Sequence, residues 1–81
     1  RAGREAVAAL VERLAGTEDW AAAVMGSPDV DALVRHIGRV GLRKALEGFE
    51  VDPERLGLTL VQLGLFQSSP LLPQAGEGGV A

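Results

Sequence analysis

A cluster of basic residues between positions 35 and 44 is the part of the sequence best suited to bind a charged ligand. Four of the eight Lys and Arg residues lie here, with no acidic residue among them: Arg35, Arg39, Arg43 and Lys44. In an unbroken helix the three arginines, spaced four residues apart, would follow one face. Backbone amides beside such a face bind phosphate groups, and Gly41 allows a ligand to approach the backbone closely. The stretch therefore predicts an anion site formed by these four cations and Gly41.

Residues 37–46 resemble part of a helix-hairpin-helix motif, in which the amides of a Gly-hydrophobic-Gly turn bind phosphates of the DNA backbone. Val40–Gly41 matches the second half of that turn, and Ala45 matches the small residue that lets the next helix pack. Arg39 stands where the motif has its first glycine, and Gly38 stands where it usually has proline. The resemblance implies binding to the nucleic-acid backbone, which is the alternative function that the sequence suggests.

The basic stretch has two further interpretations. The simpler one is a solvent-exposed face near the end of a helix, where cations are favoured by the helix dipole and the glycines mark a bend. The other is a surface for an acidic protein partner. The net charge of −3 and the isoelectric point of about 5.0 argue against a dedicated nucleic-acid binder, since such domains are commonly basic.

Other residues with potential chemistry have ordinary structural interpretations. The single histidine, His36, has basic neighbours and no nucleophile or acid placed to act with it. The acidic residues between 47 and 54 lack the spacing of a calcium-binding loop, and Asp52 is a helix-capping residue by its position. The chain contains no cysteine. We therefore predict no catalytic residue, no metal ligand and no cofactor, and we expect that the protein is not an enzyme.

Helix start and stop signals divide the chain into four predicted helices. The first carries one apolar stripe: Val7, Leu10, Val11 and Leu14. Capping residues at Thr17, Ser27 and Asp52 begin the others, the last of which is predicted over 53–66. We predict an all-α fold, a small bundle of four helices in residues 1–66, or five if the third breaks at Gly41. A flexible Pro/Gly-rich tail is predicted for 67–81.

The segment 56–66, LGLTLVQLGLF, is apolar on every side. Its alternation of Leu or Val with smaller residues also fits a strand, but the cap before it favours a helix. An all-round apolar helix must be surrounded, and a chain of 81 residues has little to surround it with. The alternative is a central helix covered by its own bundle on both faces. We predict that the residues of this segment on the side away from the core contact a partner: Leu58, Val61, Leu65 and Phe66.

The predicted function is therefore that of a protein–protein interaction module: an adaptor, a docking domain or a small non-catalytic subunit of a larger assembly. The expected partner is another protein chain or a second copy of this one. No apolar run reaches the roughly 18 residues of a membrane span. The absence of cysteine and of a signal peptide favours an intracellular location, cytoplasmic or nuclear. Because the chain begins at Arg1, we expect that it derives from a longer protein.

Overall fold

A computed structural model describes residues 2–73 of the chain, with the backbone alone for Ala2, and contains five helices. They are α1 (Ala2–Ala15), α2 (Trp20–Met25), α3 (Val30–Val40), α4 (Leu42–Ala45) and α5 (Pro53–Gln62). No strand occurs in residues 2–73. The all-α prediction is confirmed in its five-helix form, and the strand alternative for the Leu-rich segment is wrong. In this part of the chain, no helix has both the length and the apolar character needed to cross a membrane.

All five helices contribute to one hydrophobic core. Helix α1 packs chiefly along α3, while α2 and α4 each contact α5. The largest side chains that are fully buried come from every helix: Val7 and Leu10 (α1), Val24 (α2), Leu33 and Ile37 (α3), Leu42 (α4), and Leu56 and Leu60 (α5). The stripe predicted on the first helix is the face of α1 that enters this core.

Gly41 separates α3 from α4. Its backbone has φ of 84° and ψ of 155°, a conformation that is almost exclusive to glycine. The amide of Gly41 still donates to the carbonyl of Ile37 at 2.7 Å, so α3 ends in an ordered turn. An unbroken helix through the basic stretch is therefore wrong, and Arg43 lies on a different helix from Arg35 and Arg39.

Helix α5 begins where the sequence predicts and ends four residues earlier than predicted. The Asp52 side chain accepts a hydrogen bond from the Glu54 amide at 3.0 Å, as a helix cap should. At the other end Gly64 has φ of 79°, the Leu65 amide donates to Leu60 O at 3.0 Å, and the Gly64 amide donates to Val61 O at 2.9 Å. This pair of bonds is a Schellman motif, which stops the helix at Gln62 instead of Phe66.

The segment 67–73 returns along the bundle and covers the start of α4. The amides of Leu42 and Arg43 donate to the carbonyls of Pro70 and Leu71, at 2.8 Å and 3.1 Å. These are first-turn amides that have no partner within their own helix, so the returning segment satisfies them. Pro70 is fully buried. We call 67–73 the return segment; it belongs to the predicted tail 67–81, of which 74–81 lie outside the described residues.

Candidate functional site

The bundle covers more of helix α5 than the sequence analysis expected. Leu56 and Leu60 are fully buried, and Gly57 and Thr59 are buried beside them. Because Gly57 has no side chain, Ser69 of the return segment can lie directly against the helix. Leu58 is the exception, with 57% of its surface exposed. Most of the apolar helix is therefore enclosed by its own chain.

The four predicted contact residues do not form one exposed surface. Leu58 is exposed and Val61 is half-buried on the outward side of α5. Leu65 and Phe66 follow the end of the helix and pack against the core. The Phe66 ring lies 3.7 Å from the position that a Cβ would take at Gly38, so it fills the space beside α3. The outward face thus consists of Leu58 with Val61 at its edge.

The neighbours of Leu58 on the helix surface are mostly polar. Positions three and four residues away share a face with it, and these positions hold Glu54, Arg55, Val61 and Gln62. We call Leu58 and these four residues the α5 outer face. An acid and a base therefore flank one exposed leucine, which is the arrangement of a small apolar centre with a polar rim.

One edge of the α5 outer face is fixed to α2. The Arg55 guanidinium carbon lies 4.0 Å from the centre of the Trp20 ring, and Arg55 Nη2 donates to the Glu18 carbonyl at 3.2 Å. A cation over an aromatic face contributes roughly 0.5–1 kcal/mol at an exposed site. Trp20 also packs against the core, so it joins α2 and α5 within the chain.

The basic residues of the predicted anion site are spread over different surfaces. Arg35 and Arg39 are exposed on α3. On α4, Arg43 Nη2 lies 4.0 Å from Glu54 Oε2 and Lys44 Nζ lies 3.8 Å from Glu47 Oε1. Both pairs are solvent-exposed, so each contributes little to stability, of the order of 0–1 kcal/mol.

The backbone amides that the helix-hairpin-helix resemblance would direct at a phosphate are already occupied. The amides of Leu42 and Arg43 donate to the return segment, and that of Gly41 donates within α3. Gly41 itself is buried, and a Cβ built there would lie 2.7–2.8 Å from backbone atoms of 71–73. The expectation that Gly41 offers its backbone to an anion is therefore wrong, because its missing side chain makes room for the protein's own chain.

His36 is held in a crevice between α1 and α3. Its side chain lies against Gly3, where an added Cβ would come within 2.6–2.8 Å of the Cβ, Cγ and Nδ1 atoms of His36. Its Nδ1 is buried and has no hydrogen-bond partner among the described residues. Burial lowers the pKa of His36 below its ordinary value of 6.5, and the positive charges of Arg39 and Arg4 lower it further. The neutral imidazole is thus the form that the fold accommodates.

A fold that prefers neutral His36 should lose stability in mild acid. The unfolded chain takes up the proton first, so the fold keeps its full stability above about pH 6.5 and loses part of it as the pH falls below that value, through the lowered pKa of His36 in the folded chain. His36→Gln, which cannot titrate, should remove this part of the pH dependence. Urea unfolding followed by circular dichroism across this range measures both proteins. Equal slopes for the two would show that His36 is not the group responsible.

Two adjoining grooves share Val40 and Lys44, and His36 lines the first of them. This first groove, of about 360 Å³, is lined by Arg4, His36, Val40, Lys44, Ala45, Glu47 and Phe49. The second, of about 400 Å³, is lined by Val40, Arg43, Lys44 and residues 71–73. Sequence reasoning missed this surface, since the return segment supplies three of the six residues that line the second groove. The only local signal was the Leu pair between Pro70 and Pro73.

Within 2–73, no three His, Asp or Glu side chains come together in a way that could hold a metal ion beside these surfaces. Comparison of the chain with protein-family models, with curated proteins and with solved structures finds no match.

Proposed function

We propose that the chain is a protein–protein interaction module and that the α5 outer face is its contact surface. The observation that carries the proposal is the exposure of Leu58, 57%, at the middle of this face. Completing the burial of a leucine that is about half exposed gains roughly 1 kcal/mol. Such a gain from one side chain is enough only for a weak contact. The other residues of the α5 outer face must therefore contribute to binding as well.

A second copy of the chain is the partner that this face fits best. When two identical surfaces meet about a twofold axis, each residue faces the same small set of residues on the other copy. Glu54 and Arg55, on either side of Leu58, then give the surface charges of both signs, so that it does not repel itself. A chain of 81 residues without a disulfide also gains more than a large one from oligomerisation.

The nucleic-acid alternative has less support. Arg35 and Arg39 are exposed and could contact phosphates, but the amides of the resemblance are bonded to the return segment. Arg43 has Glu54 beside it, and the net charge of the chain is −3.

The proposal is tested by the mass of the chain in solution. We expect light scattering during gel filtration to show a mass that rises with concentration for the native chain. Leu58→Lys should abolish association, because it puts a charge at the centre of the contact. The helix should be retained, because the new lysine can pair with Glu54 one turn before it. Met25→Lys is the matched control, because Met25 has nearly the same exposure, 56%, on α2.

Two results would overturn the proposal. One is a native chain that stays monomeric throughout the series and does not bind the dye ANS, which reports exposed apolar surface. The other is loss of association to the same extent in Leu58→Lys and Met25→Lys. Thermal unfolding of each variant establishes that a change of mass does not result from a change of fold.

A further inference from the structure

The two grooves beside α3 and α4 form one continuous surface. Val40 and Lys44 line both, so the grooves meet at these two residues. We call the joined surface the Val40 groove. Its two halves, about 360 and 400 Å³, each have the size of a small-ligand pocket, and both are open to solvent. A ligand that extends across the shared residues can contact both halves, which a compact ligand in one half cannot.

The floor of the Val40 groove is apolar. Leu72 is the most exposed large hydrophobic side chain in the described residues, at 66%, and Phe49 is 37% exposed at the other end. Val40 and Leu71 lie between them and are half-buried. Apolar side chains that lie together in a concave surface favour a ligand that brings apolar groups of its own.

The rim of the Val40 groove is cationic in a chain whose net charge is negative. Arg4 reaches it from α1, and Arg43 and Lys44 from α4. Arg39 lies close enough to His36 for its charge to lower the pKa of that imidazole. Two of these cations have an acidic neighbour: Lys44 lies 3.8 Å from Glu47, which lines the groove, and Arg43 lies 4.0 Å from Glu54. More than half of each of these four side chains is exposed, so both contacts are weak and the positive charge of the rim can still attract a ligand.

We infer that the Val40 groove binds an acidic, amphipathic segment of another protein, whose carboxylates meet the rim and whose apolar side chains meet the floor. No residue of the α5 outer face lines either half of the groove, although Glu54 of that face lies 4.0 Å from Arg43 of the rim. The cations of the rim favour a ligand with negative charge. The apolar floor favours a protein segment that carries apolar side chains. A nucleic-acid backbone would use the rim and leave the floor at Leu71 and Leu72 without a counterpart.

Fluorescence anisotropy with a short labelled peptide of Glu, Asp and Leu tests the inference on the full chain. We expect binding that weakens with salt, because the rim is exposed. A second peptide with Ser in place of Leu keeps the charge and removes the apolar groups, and it should bind at least about tenfold more weakly. A labelled single-stranded oligonucleotide serves as the competing class of ligand.

Two variants test the contributions of the rim and of the floor to peptide binding separately. Lys44→Glu reverses a charge shared by both halves of the groove, and we expect it to weaken peptide binding by about tenfold. Its matched control is Arg13→Glu, which changes the net charge equally at the far end of α1, beside Gly26. Leu72→Ser alters the most exposed floor residue and should weaken the Leu-containing peptide while leaving the Ser-containing peptide unaffected.

Several outcomes would overturn the inference. Equal loss in Lys44→Glu and Arg13→Glu would indicate a response to net charge alone. Equal affinity for the Leu and Ser peptides, or no effect of Leu72→Ser, would show that the floor takes no part. Binding of the oligonucleotide without binding of the peptide would assign the groove to nucleic acid. Thermal unfolding of the variants confirms that the fold is kept, and Leu58→Lys should bind the peptide normally even if it abolishes self-association.

Discussion

Gly41→Ala is expected to lower the free energy of unfolding by about 3 kcal/mol, a large part of the stability of a chain this small. With φ of 84° and ψ of 155°, the backbone alone costs a residue with a Cβ roughly 1–3 kcal/mol. The new Cβ would also lie 2.7–2.8 Å from backbone atoms of residues 71–73, which cannot yield as a side chain can. Urea unfolding followed by circular dichroism measures the loss.

Displacement of the return segment should be visible at particular amides. Those of Leu42 and Arg43 donate to it in the native chain, so their protection from hydrogen exchange should fall in Gly41→Ala. Gly48→Ala is the matched control, because Gly48 has φ of 91° and no atom within 4 Å of the added Cβ. It should cost only the backbone term, about 1 kcal/mol. If the two variants were equally stable, the close approach at Gly41 would not hold the return segment in place.

The start of α5 could be predicted from the sequence because its cap depends on a neighbouring residue, with Asp52 accepting a hydrogen bond from the Glu54 amide two residues away. The caps predicted at Thr17 and Ser27 are wrong, because Asp19 caps α2 through the Ala22 amide at 3.1 Å and α3 begins after Asp29. The break at Gly41 was foreseen as one of two alternatives, since glycine permits a bend without requiring it. The end of α5 was missed, because Gly64 stops the helix only once Leu65 packs back on the core.

The return segment could not be predicted, because every contact that orders it joins residues far apart in the sequence. Pro70 and Leu71 meet Leu42 and Arg43, which lie about 28 residues earlier. Locally, 67–73 has the proline and serine content of a linker, and that content led to the prediction of a flexible tail. The Val40 groove, built partly by these residues, was hidden for the same reason.

The exposed apolar face of α5 is smaller than the sequence predicts for a related reason. Leu56 and Leu60 lie on the buried face of the helix, but the covering of Leu65 and Phe66 depends on the early end of α5 and on the space beside Gly38. What the sequence presented as an apolar face is reduced to Leu58 and the edge of Val61. The predicted contact was thus placed on the right helix, while its extent depended on tertiary packing.

The second large effect on stability is expected on the buried face of α5, opposite the exposed Leu58. Leu60→Ala is expected to lower the free energy of unfolding by about 2–5 kcal/mol, because Leu60 is fully enclosed and its loss leaves a cavity in the core that the described helices share. Since a domain of this size has only about 5 kcal/mol to lose, a loss at the upper end of this range would leave the variant partly unfolded at 25 °C. Urea and thermal unfolding by circular dichroism measure the loss.

Leu58→Ala is the matched control, with the same substitution two residues earlier on the same helix. Alanine has the higher helix propensity, and Leu58 is 57% exposed, so the monomer should change by no more than about 0.5 kcal/mol. If Leu58→Ala were as costly as Leu60→Ala at high concentration but harmless on dilution, the burial of Leu58 would come from a second copy. An equal cost at every concentration would contradict the placement of Leu58 outside the core, because a stability loss that does not depend on concentration arises within one chain.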